Sequence, residues 1–306
     1  SFDMTRRKPW FLPCGVLLLL MASMSSRAMD IEPYVQQAVP NLVGYLQVDT
    51  INPPGNESRG VAYLSSLLDQ AGIAYESVES APGRGNLWAK LPGTPDAEGN
   101  TLPALVLLHH IDVVPANAAH WSVDPLSGEQ VDGYIYGRGA IDTKGLGIVQ
   151  LQAFLALAAS QQPLNRDVWY MATADEEAGG FFGAGWLVEN RPNLFANVGY
   201  LLNEGGSGRR FEQGVAVMVE VTQKVPLWLR LNASGRPGHG SAPQVTTSVT
   251  RLVRGLERVR QTEFPVNVVP AVAAMFEGLA PYQDAGNRSQ YAGIAQAAND
   301  SSYLLG

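Results

Sequence analysis

Four short strings of the sequence carry residue types that do chemistry together. They are His109-His110-Ile111-Asp112, Asp142 within Gly137-Arg138-Gly139-Ala140-Ile141-Asp142-Thr143-Lys144-Gly145, Asp175-Glu176-Glu177, and Asn203-Glu204. Imidazoles and carboxylates are ligands for divalent cations such as zinc. Carboxylates within a few ångströms of one another cannot all ionise unless protons or cations compensate them, so a metal centre is the economical reading. Each residue has a plainer role when taken singly. A histidine at a strand end is commonly a polar terminus, Glu176-Glu177 suits the positive end of a helix dipole, and Asp142 suits a glycine-flanked turn. Their joint occurrence, each just after a predicted buried strand or a glycine turn, points to a metal hydrolase. The only cysteine, Cys14, lies near the N-terminus in a segment read below as a leader, which leaves the rest without thiolate ligands or disulfides.

The elements needed to hold these strings are those of an α/β fold with a mainly parallel sheet and helices on both faces. Ile31, Val35, Val39, Leu42, Val43 and Leu46 recur at helical spacing until Asn52-Pro53-Pro54-Gly55. Val61, Leu64, Leu67 and Leu68 make a second stripe, closed by Gly72, and short strands are expected over residues 74–78 and 86–91. Continuous apolar runs at 105–108, 168–171 and 198–202 read as buried strands, alternating with helices at about 146–158 and 183–190. Each of these three strands runs directly into one of the acidic or histidine strings, at the carboxyl end, where open α/β sheets bind ligands.

Composition sets the outer limits. The chain has 306 residues, 46% hydrophobic and 16% charged, and a formal net charge of -7, enough for a large core and contrary to a nucleic-acid-binding surface. Met4, the basic Arg6-Arg7-Lys8, an apolar run from Trp10 to Met24 and Ser25-Ser26-Arg27-Ala28 have the layout of a secretory signal over residues 1–28. The run falls short of the roughly 20 residues of a membrane span. A periplasmic or secreted protein is expected, with no membrane contact beyond that segment.

Taken in order, the motifs resemble those of the M20 family of co-catalytic metallopeptidases, the group of carboxypeptidase S, aminoacylase and succinyl-diaminopimelate desuccinylase. The likeness is carried by Leu107-Leu108-His109-His110-Ile111-Asp112-Val113-Val114-Pro115, by Gly133-Tyr134-Ile135-Tyr136-Gly137-Arg138-Gly139 with Asp142-Thr143-Lys144-Gly145, and by Asp175-Glu176-Glu177-Ala178-Gly179-Gly180. Asn203-Glu204-Gly205-Gly206, Gly235-Arg236-Pro237-Gly238-His239-Gly240-Ser241 and the upstream Thr50-Ile51-Asn52-Pro53-Pro54-Gly55-Asn56 extend it. His109 stands where the family usually has a small residue, and Asn203 where an aspartate is frequent.

The resemblance implies two zinc ions, with cobalt or manganese as possible substitutes. His110 and Glu204 would hold the first ion, Glu177 the second, and Asp142 would bridge them. Asp112 would orient the His110 imidazole through its other nitrogen, and Glu176 would be the general base. His239 would stabilise the oxyanion from a lid domain that also makes a homodimer. The implied layout is a zinc-exopeptidase-like catalytic segment over residues 29–224 and a partial α+β lid over residues 225–306, with a strand at Val225–Leu231 and a helix carrying Val245, Val249, Leu252, Val253, Leu256 and Val259. The family's last zinc ligand, a histidine, and its C-terminal catalytic segment would follow after Gly306. The expected substrates are peptides or N-acyl amino acids, and the alternative is a non-catalytic peptide- or amino-acid-binding relative.

Overall fold

The computed structural model describes residues 29–297 apart from Pro226, Pro243 and Pro265. The leader expected over residues 1–28, with Cys14, lies outside the described residues. Two compact units divide the chain, one ending at Glu204 and the other beginning at Gly205. The boundary expected between residues 224 and 225 falls inside the second unit.

In the first unit, helices α1 (Glu32–Leu46) and α2 (Glu57–Gln70) precede strands β1 (Tyr75–Glu79), β2 (Gly85–Leu91) and β3 (Leu102–His110). A small hairpin of β4 (Glu129–Val131) and β5 (Tyr134–Tyr136), turning at Asp132-Gly133, leads to α3 (Lys144–Ser160). Then come β6 (Arg166–Thr173), α4 (Ala184–Asn190) and β7 (Val198–Leu202). The five-stranded sheet has the order β1-β2-β6-β3-β7. It is mixed: β3 runs parallel to both β6 and β7, whereas β1 and β2 are antiparallel to each other and β2 to β6. The antiparallel half follows from the short turn at residues 80–84, and the parallel half from crossovers through α3 and α4. Those crossovers bring the carboxyl ends of β3, β6 and β7 to one edge.

Alternate residues of the central strands build two cores. Leu87, Ala89, Leu107, Tyr170 and Ala172 pack with Tyr45, Leu64, Leu68, Ile148, Leu151 and Phe154 of α1, α2 and α3. On the opposite face Trp88, Val106 and Met171 meet Leu187 of α4, with Trp169, Trp186 and Phe195 alongside. Strands sandwiched in this way must be apolar on both faces, hence their unbroken hydrophobic runs. Two expectations need correction. Residues 199–202 of β7 are exposed rather than buried: among the described residues β7 is an edge strand paired only with β3. In α1, Ala38, Leu42 and Tyr45 face the core while Val35 and Val39 stay exposed, as does Ile31 just before the helix.

The second unit holds a hairpin of β8 (Ser207–Phe211) and β9 (Gly214–Met218), then α5 (Ser248–Arg260), α6 (Pro270–Leu279), α7 (Ala285–Ala292) and α8 (Ile294–Ala297). The expected helix is present as α5 but without Val245, because a capping box in which Thr247 and Thr250 satisfy each other's amides starts it at Ser248. The strand expected at Val225–Leu231 is not formed among the described residues. Alternation alone makes no strand; a ladder partner is required, and none pairs with that stretch among the described residues.

Candidate metal centre

The period-2 geometry of β3 separates its two terminal histidines. His109 points into the core with Leu107: its ring lies 5.4 Å from that of Tyr170, and its Nε2 is 3.3 Å from the Tyr45 hydroxyl. Gly147 of α3 makes the room, since a Cβ there would lie 2.3 Å from the imidazole. Burial, reinforced by the neighbouring His110 and Lys144, lowers the His109 pKa to about 3, so it serves as a neutral packing residue. That role accounts for a histidine where the resemblance expects something small.

His110 points the other way. Its Nδ1 donates to the main-chain oxygen of Asp112 at 2.9 Å, so Nε2 is the atom turned toward the carboxylates, donating to Asp142 while protonated and offering a ligand's lone pair once that proton is displaced. Nε2 stands 3.0 Å from Asp142 Oδ1, 3.6 Å from Glu204 Oε2 and 3.9 Å from Glu176 Oε2. Ligand atoms of His110, Asp142 and Glu177 lie within 4.8 Å of one another, and so do those of His110, Glu176 and Glu204. Three strand ends and one loop thus deliver five side chains to one point. The His110 side chain is only 1% exposed whereas that of Asp142 is 62% exposed, so the site has a buried floor and an open rim.

Each position has a local cause. β3 supplies His110, the end of β6 leads to the Glu176-Glu177 turn, and the end of β7 leads to Glu204. The loop carrying Asp142 is tied down by Lys144, whose buried Nζ donates to the carbonyls of Tyr45 at 3.0 Å and Val48 at 2.7 Å. The Asp112 carboxylate does more than face the imidazole, from which its Oδ1 is 3.6 Å away. It accepts the amides of Glu176 at 3.0 Å and Glu177 at 3.1 Å, and so fixes the turn that presents both glutamates.

The electrostatics show a shortage of positive charge. Burial raises the pKa of Glu177, and Asp142 adds to it. Burial also raises Glu204, with Glu176 and Asp142 pushing the same way against the lowering effect of His110. Burial works to lower His110, but Asp112, Glu204 and Glu176 outweigh it and raise its pKa. One imidazole whose Nε2 faces a group of four carboxylates is a donor set for a divalent cation of the zinc type, and a cation that replaces the shared proton relieves the mutual repulsion.

His239 belongs to the second unit and is exposed. Its Nδ1 accepts from the Ser241 hydroxyl at 2.7 Å and the Ser241 amide at 3.3 Å, leaving Nε2 to donate. Three residues that support the site were not among the expected site residues: Asn52 stands in the helix stop and in the upstream string that resembles the family, and Glu57 and Arg84 belong to none of the motifs. All three are buried beneath the Asp175–Glu177 turn.

A sequence profile described as Peptidase family M20/M25/M40 matches residues 106–304. Aminoacylase-1 of Sus scrofa is 36% identical over 199 residues, 64% of this chain and 47% of the relative. N-fatty-acyl-amino acid synthase/hydrolase PM20D1 of Xenopus tropicalis is 38% identical over 243 residues, 75% of this chain and 46% of the relative. Human carnosine dipeptidase 1 aligns in structure with a TM-score of 0.47 and 24% identity, over 57% of this chain and 39% of that one. The chain spans about half the length of the curated relatives it matches. The profile takes in well over half of this chain and every residue grouped around His110, and on that ground the chain belongs to peptidase family M20/M25/M40.

Proposed function

We propose that this chain contributes the catalytic centre of a dinuclear zinc amidohydrolase that cleaves an amide bond in N-acyl amino acids or peptides. The observation that carries the reading is the orientation of His110: Nδ1 is committed to the Asp112 carbonyl, so Nε2 is the ring atom aimed at Asp142, Glu204 and Glu176. His110, Asp142 and Glu204 would hold one ion, and Asp142 with Glu177 the other. Bound divalent ions supply Lewis acidity toward an amide carbonyl and lower the pKa of water. Glu176 then takes the proton of the attacking water and returns it to the leaving amine. Its carboxylate is half exposed, open to substrate, while its amide is anchored on Asp112. His239 donates from Nε2 to the developing oxyanion, as part of a lid that also makes a homodimer. Secretion or periplasmic export belongs to the same reading, from the basic and apolar pattern of residues 1–28.

The relatives favour acyl-amino-acid substrates over longer peptides, since two of them are named for that chemistry. Glu176→Gln tests the assignment directly. In the full-length protein the variant is expected to lose about 10²- to 10⁴-fold in kcat on N-acetyl amino acids while keeping the zinc stoichiometry of the parent. Unchanged turnover removes Glu176 from the mechanism. Zinc binding by the parent with no hydrolysis of any acyl amino acid or dipeptide would favour a binding protein instead.

A further inference from the structure

Beneath the Glu176-Glu177 turn lies a buried ionic cluster that the proposed reaction does not use. The Arg84 guanidinium is buried with Glu57 and Asp175, all three shielded from solvent. Its Nη2 is 2.9 Å from Glu57 Oε1 and also donates to Asp175 Oδ1, and its Nη1 donates to the Pro54 carbonyl at 2.8 Å. The Asn52–Gly55 segment is shaped around this side chain: a Cβ at Gly55, where φ is +88°, would lie 2.6 Å from the guanidinium carbon. Arg84 also stands 5.2 Å from the centre of the Phe182 ring.

Asp175 is the residue on which these contacts converge. Its backbone is left-handed, with φ 67° and ψ 19°, an unfavourable conformation for a residue with a side chain. The carboxylate is held by Arg84, by Asn52 Nδ2 at 3.1 Å and by the Phe182 amide at 3.1 Å, and the Asp175 amide donates to Glu57 Oε1 at 3.2 Å. The same Asn52 nitrogen donates to Asp112 Oδ2 at 2.8 Å, and Asp112 holds the amides of Glu176 and Glu177. The turn is therefore gripped twice, through its two glutamate amides and through the side chain that precedes them.

We propose that Arg84 is a positioning residue for the metal-binding turn: by clamping Asp175 it fixes where the Glu176 and Glu177 carboxylates stand. The metal part of this inference rests on the reading in the preceding subsection; the clamp does not. One guanidinium pairs with two buried carboxylates, those of Glu57 and Asp175, and Asn52 links Asp175 to a third, Asp112. Its loss leaves Glu57 and Asp175 uncompensated and next to each other, and two such acids separate or take up a proton. Either response shifts the turn. Lysine keeps the charge but lacks the planar fork that spans Asp175, Glu57 and the Pro54 carbonyl at once.

The test compares the full-length parent with Arg84→Met, Arg84→Lys and the double variant Arg84→Met/Glu57→Gln. The double variant removes one of the stranded charges and is expected to keep the fold. Two readouts are taken: amide hydrogen exchange without metal, and zinc affinity by competition with a chromogenic chelator. Arg84→Met is expected to speed exchange at Glu176, Glu177 and Phe182 by about tenfold or more, with β6 and α3 unchanged, and to weaken zinc by about 10- to 100-fold. The lysine variant falls between. The double variant regains thermal stability without regaining zinc affinity or slow exchange at the turn. Parental exchange at the three amides in Arg84→Met overturns the clamp, and so does a uniform rise across the first unit. If the parent itself binds no zinc, the proposed function falls, and the exchange comparison still decides the clamp.

Discussion

The two units of this chain are built by different forces. The first closes two apolar cores on opposite faces of one sheet and buries an arginine, a lysine and several carboxylates beneath its metal-binding edge. In the second, Ala280 alone is buried among the described residues. Its helices rely more on local devices, the Thr247–Thr250 capping box, the Asp284 cap on the Asn287 amide and a bidentate Glu257–Arg260 pair on α5, with a few aromatic contacts such as Phe211 with Tyr282 and Phe276 with Tyr291. Meanwhile Val249, Val253, Leu256 and Val259 line one face of α5 and remain exposed. Geometry held to a few tenths of an ångström needs a frame that cannot relax, and only the first unit provides one. That is where His110 and its four carboxylate neighbours stand.

The contrast predicts where the chain is fragile. The largest loss of stability is expected for Phe154→Ala in α3, a fully buried ring 5.9 Å from that of Tyr170. Truncation there removes apolar contact and leaves a cavity between helix and sheet, costing about 3–5 kcal/mol in urea unfolding followed by tryptophan fluorescence. A cost below about 1 kcal/mol would mean that the first unit is as loosely packed as the second.

A smaller effect tests the ionic cluster. Burial raises the Glu57 carboxyl from 4.5 to about 7 despite the opposing pull of Arg84. A carboxyl that holds its proton more tightly when folded makes the folded state the better proton binder between these two values, so stability falls as pH rises through that window. Other groups titrate there too, and subtracting the profile of Glu57→Gln isolates this one. The parent is expected to lose up to about 1.4 kcal/mol per pH unit more than the variant between pH 4.5 and 7. Parallel profiles would show that Glu57 titrates normally.

Much of the frame was legible in the sequence because burial on both faces of a strand leaves an unmistakable apolar run. Leu105–Leu108 and Val168–Met171 announce β3 and β6, and the residues that follow them announce the site. Parity along β3 puts its two histidines on opposite faces, and since both faces are buried it is the His-x-Asp spacing of His110 and Asp112 that favours His110 as the ligand. The edge position of β7 was not legible, since Val198–Leu202 reads like its buried neighbours and only the strand order shows that one side is open. Nor was the antiparallel half of the sheet, which depends on a five-residue turn. Arg84 and Glu57 left no trace because each is one charged residue in an ordinary segment, and Asn52, though part of the upstream string that resembles the family, gave no hint of its contacts. They become a unit only when three distant stretches close on Asp175. The failed strand at Val225–Leu231 is the opposite error, a clear local pattern with no tertiary partner among the described residues.

The smallest effect on the first unit is expected from the second unit's apolar stripe. Leu256 is 50% exposed on α5, and Val249, Val253 and Val259 share its face. A side chain that touches no core contributes little to folding, so Leu256→Asp is expected to move the unfolding free energy of the first unit by less than about 0.5 kcal/mol. Its consequence should lie in association. If the stripe forms the homodimer contact proposed for this unit, an aspartate in its middle places two uncompensated charges in an apolar interface. Sedimentation at micromolar concentration should then show the dimer of the parent reduced to a monomer of unchanged stability. A variant that remains dimeric removes α5 from the contact. A variant that unfolds the first unit would show that the two units share a core, and the contrast between them would no longer hold.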